Sequence, residues 1–369
     1  MYIWQQSDWP RFRWDEAALK PRLDAVRLLQ GRLLGQADAV PDDAELEAEM
    51  DTLIQNAIRT SEIEGEHLDA GSVRSSVARQ LGLNRAGLGR GTVQSDALVG
   101  LLLEATRQPE QGLTQDRLCQ WQAALFPDGP GLLNEIRIGE LRGEQPMRVV
   151  SGRVDRPRVH FEAPPRKGLE AELEEFLQWF NHSPANLDPL LRAGVAHLWF
   201  ETLHPFDDGN GRVGRAVTDR ALAQAEGRSV RFYSLSAAFM ARRNEYYDAL
   251  ENAQRGELDI TAWLEWFLDA LRTALDQALD RIARVLAKTK FWQRHATTIL
   301  NERQIKLLNR LLDNAGEEFT DGISARKYQS MTGVSKATAT RDLTDLAEKG
   351  CLKQLPGGGR STRYVVQDL

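Results

Sequence analysis

Cysteine is scarce in this chain: Cys119 and Cys351 are the only two among 369 residues. They lie far apart, with no CxxC or metal-like spacing. That argues against a disulfide framework or a thiolate metal site and fits a reducing compartment. No stretch approaches the ~20 consecutive apolar residues that crossing a bilayer requires, so no membrane partner is expected. The opening MYIWQQSDWPRFRWDEAALK alternates aromatic and charged residues. It reads as neither a secretory leader nor an anchor, and the expected location is cytoplasmic. A GxxxxGK[ST] loop and a kinase-type catalytic loop are both missing, which disfavours a P-loop NTPase or a protein kinase. Repeats and low-complexity tracts are lacking as well. The net charge of −6 argues against wholesale coating of nucleic acid.

What is present is mostly helical periodicity. Residues 16–35 and 43–64 place apolar side chains three and four apart, and Gly65 ends the second stretch. The glycine-spaced run 82–92 reads as a linker, followed by a helical block from Val93 to Leu125. Strand character is strongest between Glu140 and Phe161, where Met147–Val150 and Arg158–Phe161 flank SGRVDRP as a hairpin with a loose turn. Helices are then expected over 167–181, 187–203, 213–226, 236–254 and 259–288. From Lys290 the pattern changes to helices at 301–314, 324–331 and 335–349, with a turn at Gly333. Two short apolar runs, Leu352–Leu355 and Tyr364–Val366, then lie around PGGGRST. The length suits two or three domains, each able to bury a core.

The most informative segment is HPFDDGNGRVGR, residues 204–215. His204 precedes a proline, which pushes it out of the helical region and ends its helix. Its imidazole is expected to titrate near neutrality and to serve as a general base. Glycines at 209 and 211 open the next helix, where backbone N–H groups converge on an anion at the positive end of the helix dipole. Asp208 offers a hard oxygen ligand to Mg2+. Arg212 and Arg215 share one helix face and suit paired hydrogen bonds to phosphates.

All nine fixed positions of this segment match HPFx[DE]GNGRxxR, and the chain thereby resembles the Fic family. The resemblance implies a protein adenylyltransferase that moves AMP from ATP, with Mg2+, to a Ser, Thr or Tyr hydroxyl of a target protein. His204 would deprotonate the hydroxyl. Asp208, Gly209, Asn210, Gly211, Arg212 and Arg215 would bind ATP, with Phe206 a core anchor. The 147–161 hairpin resembles the family's flap, with Val149 and Val150 bordering the nucleotide; packing of the hairpin on the helices is the alternative. NEYYDALENAQRGELD resembles the helix lining the adenine pocket, with Tyr246 and Gln254 as contacts; relatives often have asparagine at the position of Gln254.

TSEIEG, residues 60–65, matches the family's inhibitory motif [ST]xxxE[GN]. It implies that Glu64, in the last helical turn, takes Arg215 from the γ-phosphate while Thr60 anchors the helix. A surface glutamate is the alternative. Some relatives also use this glutamate to remove AMP from a modified target.

SKATATRDLTDLAEKGCLKQL resembles the recognition helix and first wing strand of winged helix-turn-helix domains. Ser335 is the expected N-cap, with Leu343 and Leu346 inward. Lys336, Thr338, Thr340 and Arg341 are candidates for a DNA groove, and Arg360 and Arg363 for phosphates. Residues 324–369 carry eight Lys/Arg against four Asp/Glu. Protein interaction or dimerisation is the other reading of such a module.

The expected fold is mainly α: a Fic helical core with a β-hairpin flap, an N-terminal helical domain and a C-terminal winged-helix domain. The boundaries are 1–85, including the inhibitory helix, 90–288 and 290–369. WQQSDWPRFRWD is the weak hallmark of the first piece. Two functions stand: an adenylyltransferase autoinhibited by Glu64, or a DNA-binding transcriptional regulator whose core senses nucleotide with little turnover. Another nucleotide donor and a homodimer both fit the sequence.

Overall fold

The computed structural model describes residues 1–38, 40, 42–83, 89–129, 136–153, 156–228, 232–313, 319, 321–356 and 362–367. The fold is mainly α with little β. Helices α1 (Glu16–Ala37), α2 (Asp42–Ile63), α3 (Ala70–Gln80), α4 (Val93–Arg107) and α5 (Gln115–Ala124) come first. An antiparallel pair, β1 (Arg148–Arg153) and β2 (Arg156–Glu162), follows. Next are α6 (Leu169–Asn181), α7 (Pro189–Leu203), α8 (Asn210–Glu226), α9 (Leu235–Ala241), α10 (Arg243–Gln254) and α11 (Thr261–Arg294). The last elements are α12 (Glu302–Asp313), β3 (Ile323–Ser324), α13 (Ala325–Thr332), α14 (Lys336–Glu348), β4 (Leu352–Gln354) and β5 (Arg363–Val366). The chain divides into one compact unit of residues 1–35 with 45–278, and another of 36–44 with 279–369.

In the first unit α7 is the central rod. Every residue from Leu190 to Leu203 except Arg192 is buried, as an apolar sequence on all sides of a helix requires. Asp188 caps its start, accepting from the Leu190 and Leu191 amides at 2.8 and 3.3 Å. Trp199 anchors it laterally among Trp9, Phe12, Phe176 and Trp179, with ring centroids 5.3–6.2 Å away. The aromatic N-terminal segment is therefore packing material for the helix that leads to His204.

Three departures from the expected elements have local causes. α3 falls in a stretch that the sequence leaves as a polar run: its buried face mixes Val73, Val77 and Ala78 with serines, of which Ser72 and Ser76 bond Ser95 of α4 at 2.7 and 3.1 Å. Two valines four apart are too short an apolar stripe to mark a helix among serines and arginines. The 93–125 block splits at 108–114, with Thr114 capping α5 through the Arg117 amide. α8 starts at Asn210 and not Val213, because Gly209 adopts φ 87° and turns the chain into the helix.

The second unit packs the end of α11, α12, α13 and α14 against a three-stranded sheet ordered β3-β5-β4. Leu307, Leu308, Leu311, Ile323, Tyr328, Leu343, Leu346 and Leu352 form its core. Ser335 caps α14, accepting from the Thr338 amide at 3.2 Å. Tyr328 donates to Asp342 at 2.8 Å, and Arg303 reaches the same carboxylate at 3.2 Å.

Candidate functional site

The end of α7 is held in an unusual backbone state. His204 has φ 47° and ψ 59°, alone with positive φ among the described non-glycine residues. Such a conformation costs about 1–3 kcal/mol and persists only where its surroundings hold it. The Arg142 Nε donates to the His204 carbonyl at 2.9 Å, and the Arg142 amide donates to the Pro205 carbonyl at 2.9 Å.

The imidazole is 16% exposed. Its Nδ1 lies 3.3 Å from the Glu201 carbonyl oxygen, which can only accept, so Nδ1 carries the proton and Nε2 is the basic nitrogen. Burial pulls its pKa from 6.5 down to about 4, and Arg142 works the same way against Glu201, Glu64 and Asp208. The near-neutral value expected from sequence is thus corrected: desolvation, invisible in the chain's spelling, favours the uncharged ring.

Glu201 was missed by sequence reasoning. It is buried, with Oε2 3.9 Å from His204 Nδ1 and Oε1 without a hydrogen-bond partner. Burial raises its pKa from 4.5 to about 8, against the attraction of Arg215. The available signal was a lone acid inside the otherwise apolar run 189–203.

The loop after His204 is braced from within. Asn210 accepts from the Phe206 amide at 2.9 Å and donates to the Phe206 carbonyl at 2.7 Å, so both ends of its side-chain amide engage the loop. Phe206 is fully buried. Asp208 is exposed, and its Oδ1 accepts from the Gly209 amide at 2.6 Å. A Cβ on Gly209 would press on Leu125 and Phe126, and one on Gly211 would overlap Glu64. The first amides of α8 lack intrahelical acceptors, as at any helix start.

Both arginines are buried against carboxylates from the segment that follows α2. Arg215 Nη2 donates to Glu64 Oε1 at 2.6 Å and to the Thr60 carbonyl at 2.9 Å, while its Nε donates to Thr60 Oγ1 at 2.7 Å. Although burial opposes its charge, Glu64 holds the Arg215 pKa above its usual value. Arg212 Nη1 donates to Glu66 Oε2 at 2.7 Å, with its guanidinium 5.6 Å from the Phe126 ring centre. Glu64 lies just beyond the helix rather than in its last turn, since α2 ends at Ile63. The Ile63 carbonyl accepts from Arg243 Nε at 2.8 Å and Tyr247 Oη at 3.0 Å, which satisfies the negative end of α2.

Tyr246 and Gln254 lie beneath the surface. The Tyr246 hydroxyl is 2.9 Å from His197 Nε2, whose Nδ1 meets Thr218 Oγ1 at 2.7 Å; Gln254 Nε2 donates to the Glu201 carbonyl at 3.1 Å. Both brace α7 in this state. Val149 and Val150 sit on β1, opposite Phe161 and Val159 across a bulge, with Val150 half exposed. β2 is tied to α10: Arg255 donates to the Val159 and His160 carbonyls at 2.7 Å each, and His160 Nδ1 meets Glu251 at 2.6 Å.

In the second unit Lys336, Thr340 and Arg341 of α14 are exposed, and Thr338 is half buried beside the Ser335 cap. Arg363, on β5, is exposed and reaches the Asp321 and Gly322 carbonyls at 3.4 Å. Arg360 lies outside the described residues. Among the described residues no cluster of three or more His, Cys, Asp or Glu could hold a metal, and no helix is long and apolar enough to cross a membrane.

Residues 112–222 match the family model described as Fic/DOC family, and residues 2–83 match a domain of unknown function, DUF4172. A protein adenylyltransferase Fic of Aedes aegypti is 31% identical over 148 residues, which is 40% of this chain and 26% of that protein. The Drosophila mojavensis protein of the same name is 24% identical over 269 residues, 69% of this chain and 48% of that protein. The chain thus spans between a quarter and a half of the length of these relatives. In structure it is similar to a Fic family protein from Desulfovibrio desulfuricans G20, with TM-score 0.55 and 20% identity over 96% of this chain and 97% of the other. A Fic domain containing signaling protein from Bacteroides thetaiotaomicron VPI-5482 aligns with TM-score 0.51 and 14% identity, covering 69% of this chain and 97% of the other. Sequence match and backbone likeness agree that the chain carries the Fic fold, built around the helix–loop–helix that bears His204.

Proposed function

We propose that this protein is a nucleotidyltransferase that moves AMP from ATP to a Ser, Thr or Tyr hydroxyl of a protein, held back by its own Glu64. The observation that carries the reading is the 2.6 Å pair between Glu64 and Arg215 on the helix that begins beside His204. A base, an anion-binding helix start and two arginines suit phosphoryl chemistry, and the carboxylates on those arginines mimic its anionic substrate. The name protein adenylyltransferase, carried by the curated relatives, agrees with it.

In this reading Nε2 of His204 takes the proton of the target hydroxyl, whose oxygen attacks the α-phosphorus. The bond from that phosphorus to the bridging oxygen breaks, and pyrophosphate leaves. The amides of 209–211 face the α-phosphate, and Arg212 and Arg215 the outer phosphates. Asn210 serves by fixing the loop. A single exposed carboxylate at Asp208, without a protein cage, fits Mg2+, which takes most of its ligands from phosphates and water. Bound there, the ion would neutralise phosphate charge.

Glu64 and the phosphate compete for Arg215, and Glu66 gives Arg212 a competitor of the same kind. With β2 tied to α10, β1 is the strand left to pair with an extended target segment, which is recognised through its backbone. Val149 and Val150 would then border the nucleotide. Removal of AMP with help from Glu64 is a second activity of the same site. Incubating full-length Glu64→Gly and His204→Ala proteins with labelled ATP, then locating the modified residue by mass spectrometry, tests the reading. Transfer by the first and none by the second is expected; no transfer by Glu64→Gly ends it.

A second reading concerns residues 290–369, in which α14 presents Lys336, Thr340 and Arg341 outward. That face fits a winged helix entering a DNA groove, with Arg363 toward phosphate. A regulator that senses nucleotide would bind ATP tightly and transfer little.

A further inference from the structure

Arg142 is among the largest side chains the protein buries completely, at 1% exposure, and it lies on the connection between α5 and β1 rather than in the 204–215 segment. Its bonds run to main-chain oxygens: Nε to the His204 carbonyl at 2.9 Å and Nη2 to the Pro164 carbonyl at 2.6 Å. Its own amide takes the Pro205 carbonyl at 2.9 Å. Arg166 Nε in turn holds the Arg142 carbonyl at 2.7 Å and forks onto Glu170 with two 2.6 Å bonds. The neighbouring amides of Arg137 and Gly143 grip the Asp207 carboxylate at 3.1 and 3.2 Å. Segment 137–143 thus clasps the loop at the His204 and Pro205 carbonyls and at the Asp207 side chain.

That clasp falls where the backbone needs it. His204 is the described non-glycine residue with positive φ, and its carbonyl, turned away from the α7 ladder, has a charged donor waiting for it. A buried guanidinium is costly, and an apolar filler would pack as well if only volume mattered. We propose that Arg142 is the positioning residue of the site, fixing the direction of the His204 imidazole by gripping the His204 carbonyl with its guanidinium and the Pro205 carbonyl with its amide. This rests on His204 being the base of the proposed transfer.

A merely structural arginine and a positioning one differ in what they change. The charged or titratable groups acting on the His204 ring are Arg142, Glu201, Glu64 and Asp208. Of these, Arg142 alone disfavours the protonated ring. Removing its charge therefore raises the imidazole pKa, whereas lost packing that admits water acts on every group of the loop.

The test compares Arg142→Met and Arg142→Lys, both in the full-length Glu64→Gly background. kcat for AMP transfer, Kd for ATP and the His204 titration by NMR of histidine-labelled protein are measured, with His204→Ala giving the assignment. Arg142→Met is expected to lose about 10²-fold in kcat, the scale of a ~1 Å misplacement, with Kd within about twofold and a raised imidazole pKa. Arg142→Lys should recover about tenfold of that loss. A folded Arg142→Met protein with unchanged kcat, or with Kd weakened as much as kcat falls, overturns the proposal. If Arg142→Met does not fold, the lysine variant decides: a tenfold lower kcat at constant Kd supports it, and parental kcat overturns it. If the Glu64→Gly parent transfers no AMP, the catalytic reading fails instead. Positioning is then read from the ring itself: histidine ring shifts displaced by Arg142→Met and restored by Arg142→Lys support it, and ring shifts unchanged in Arg142→Met overturn it.

Discussion

Glu64 and Arg215 meet at 2.6 Å with unequal burial: the arginine side chain is 3% exposed, the glutamate 30%. The guanidinium is buried and held by Thr60 as well, whereas the carboxylate is the more accessible half of the pair. Glu64→Gly should therefore raise AMP transfer by about tenfold or more, the coupling expected when a competitor worth about 1–3 kcal/mol is deleted. Automodification with labelled ATP measures it, and equal rates for variant and wild type would remove the brake from the account.

Arg212 has its own carboxylate in Glu66, but that acid is 37% exposed and the contact is correspondingly weaker. Glu66→Ala added to Glu64→Gly should yield a further gain of less than about fivefold, the equivalent of ~1 kcal/mol. It should appear chiefly as tighter ATP binding by calorimetry; unchanged affinity in the double variant would show that Arg212 was already open to phosphate.

The pH profile of the released enzyme should be flat through neutrality. With the His204 pKa pulled down to about 4, the ring is uncharged above pH 5, and kcat/KM should fall only as acidity approaches that value. A fall centred near pH 6.5 would contradict the burial seen here.

Stability should also respond to pH through Glu201. Its folded-state pKa, raised from 4.5 to about 8, contributes stability that is complete below pH 4.5 and lost as pH climbs toward 8. His204 and His197, lowered to about 4 and about 3, act oppositely, but only below 6.5. Between pH 6.5 and 8 Glu201 therefore acts alone among these three, at up to about 1.4 kcal/mol per pH unit. Urea unfolding should show that slope, and Glu201→Gln should flatten it; a persisting slope would assign it elsewhere.

If α14 binds DNA, the Lys336→Ala/Arg341→Ala double variant should weaken binding and reduce the slope of log K against log salt by about 2. No measurable DNA binding by wild type at low salt would leave protein interaction as the role of that face.

The candidate site was legible in sequence because its parts are contiguous: histidine, glycine turn and arginines occupy one stretch of twelve residues. The helices were legible where an apolar stripe faces a core, as in α1 and α14, or where the whole helix is apolar, as in α7. What escaped depends on distant partners. Arg142 is 62 residues from the carbonyl it holds, and Glu66 lies 146 residues from Arg212. Neither sits in a pattern that spacing can reveal. The short α3 escaped for a local reason, since serines share its buried face and only Val73 and Val77 repeat at helical spacing. The His204 pKa shift arises from burial, which only the packed fold creates.

Thr60 gives the Glu64 contact a particular meaning. Its hydroxyl and carbonyl hold Arg215 from one side, independently of the glutamate. Losing Glu64 therefore liberates a charge without loosening the limb that bears it. On the proposed reading an incoming phosphate would meet a hand already extended and steadied at the wrist, and activation would ask for little rearrangement beyond the departure of one carboxylate.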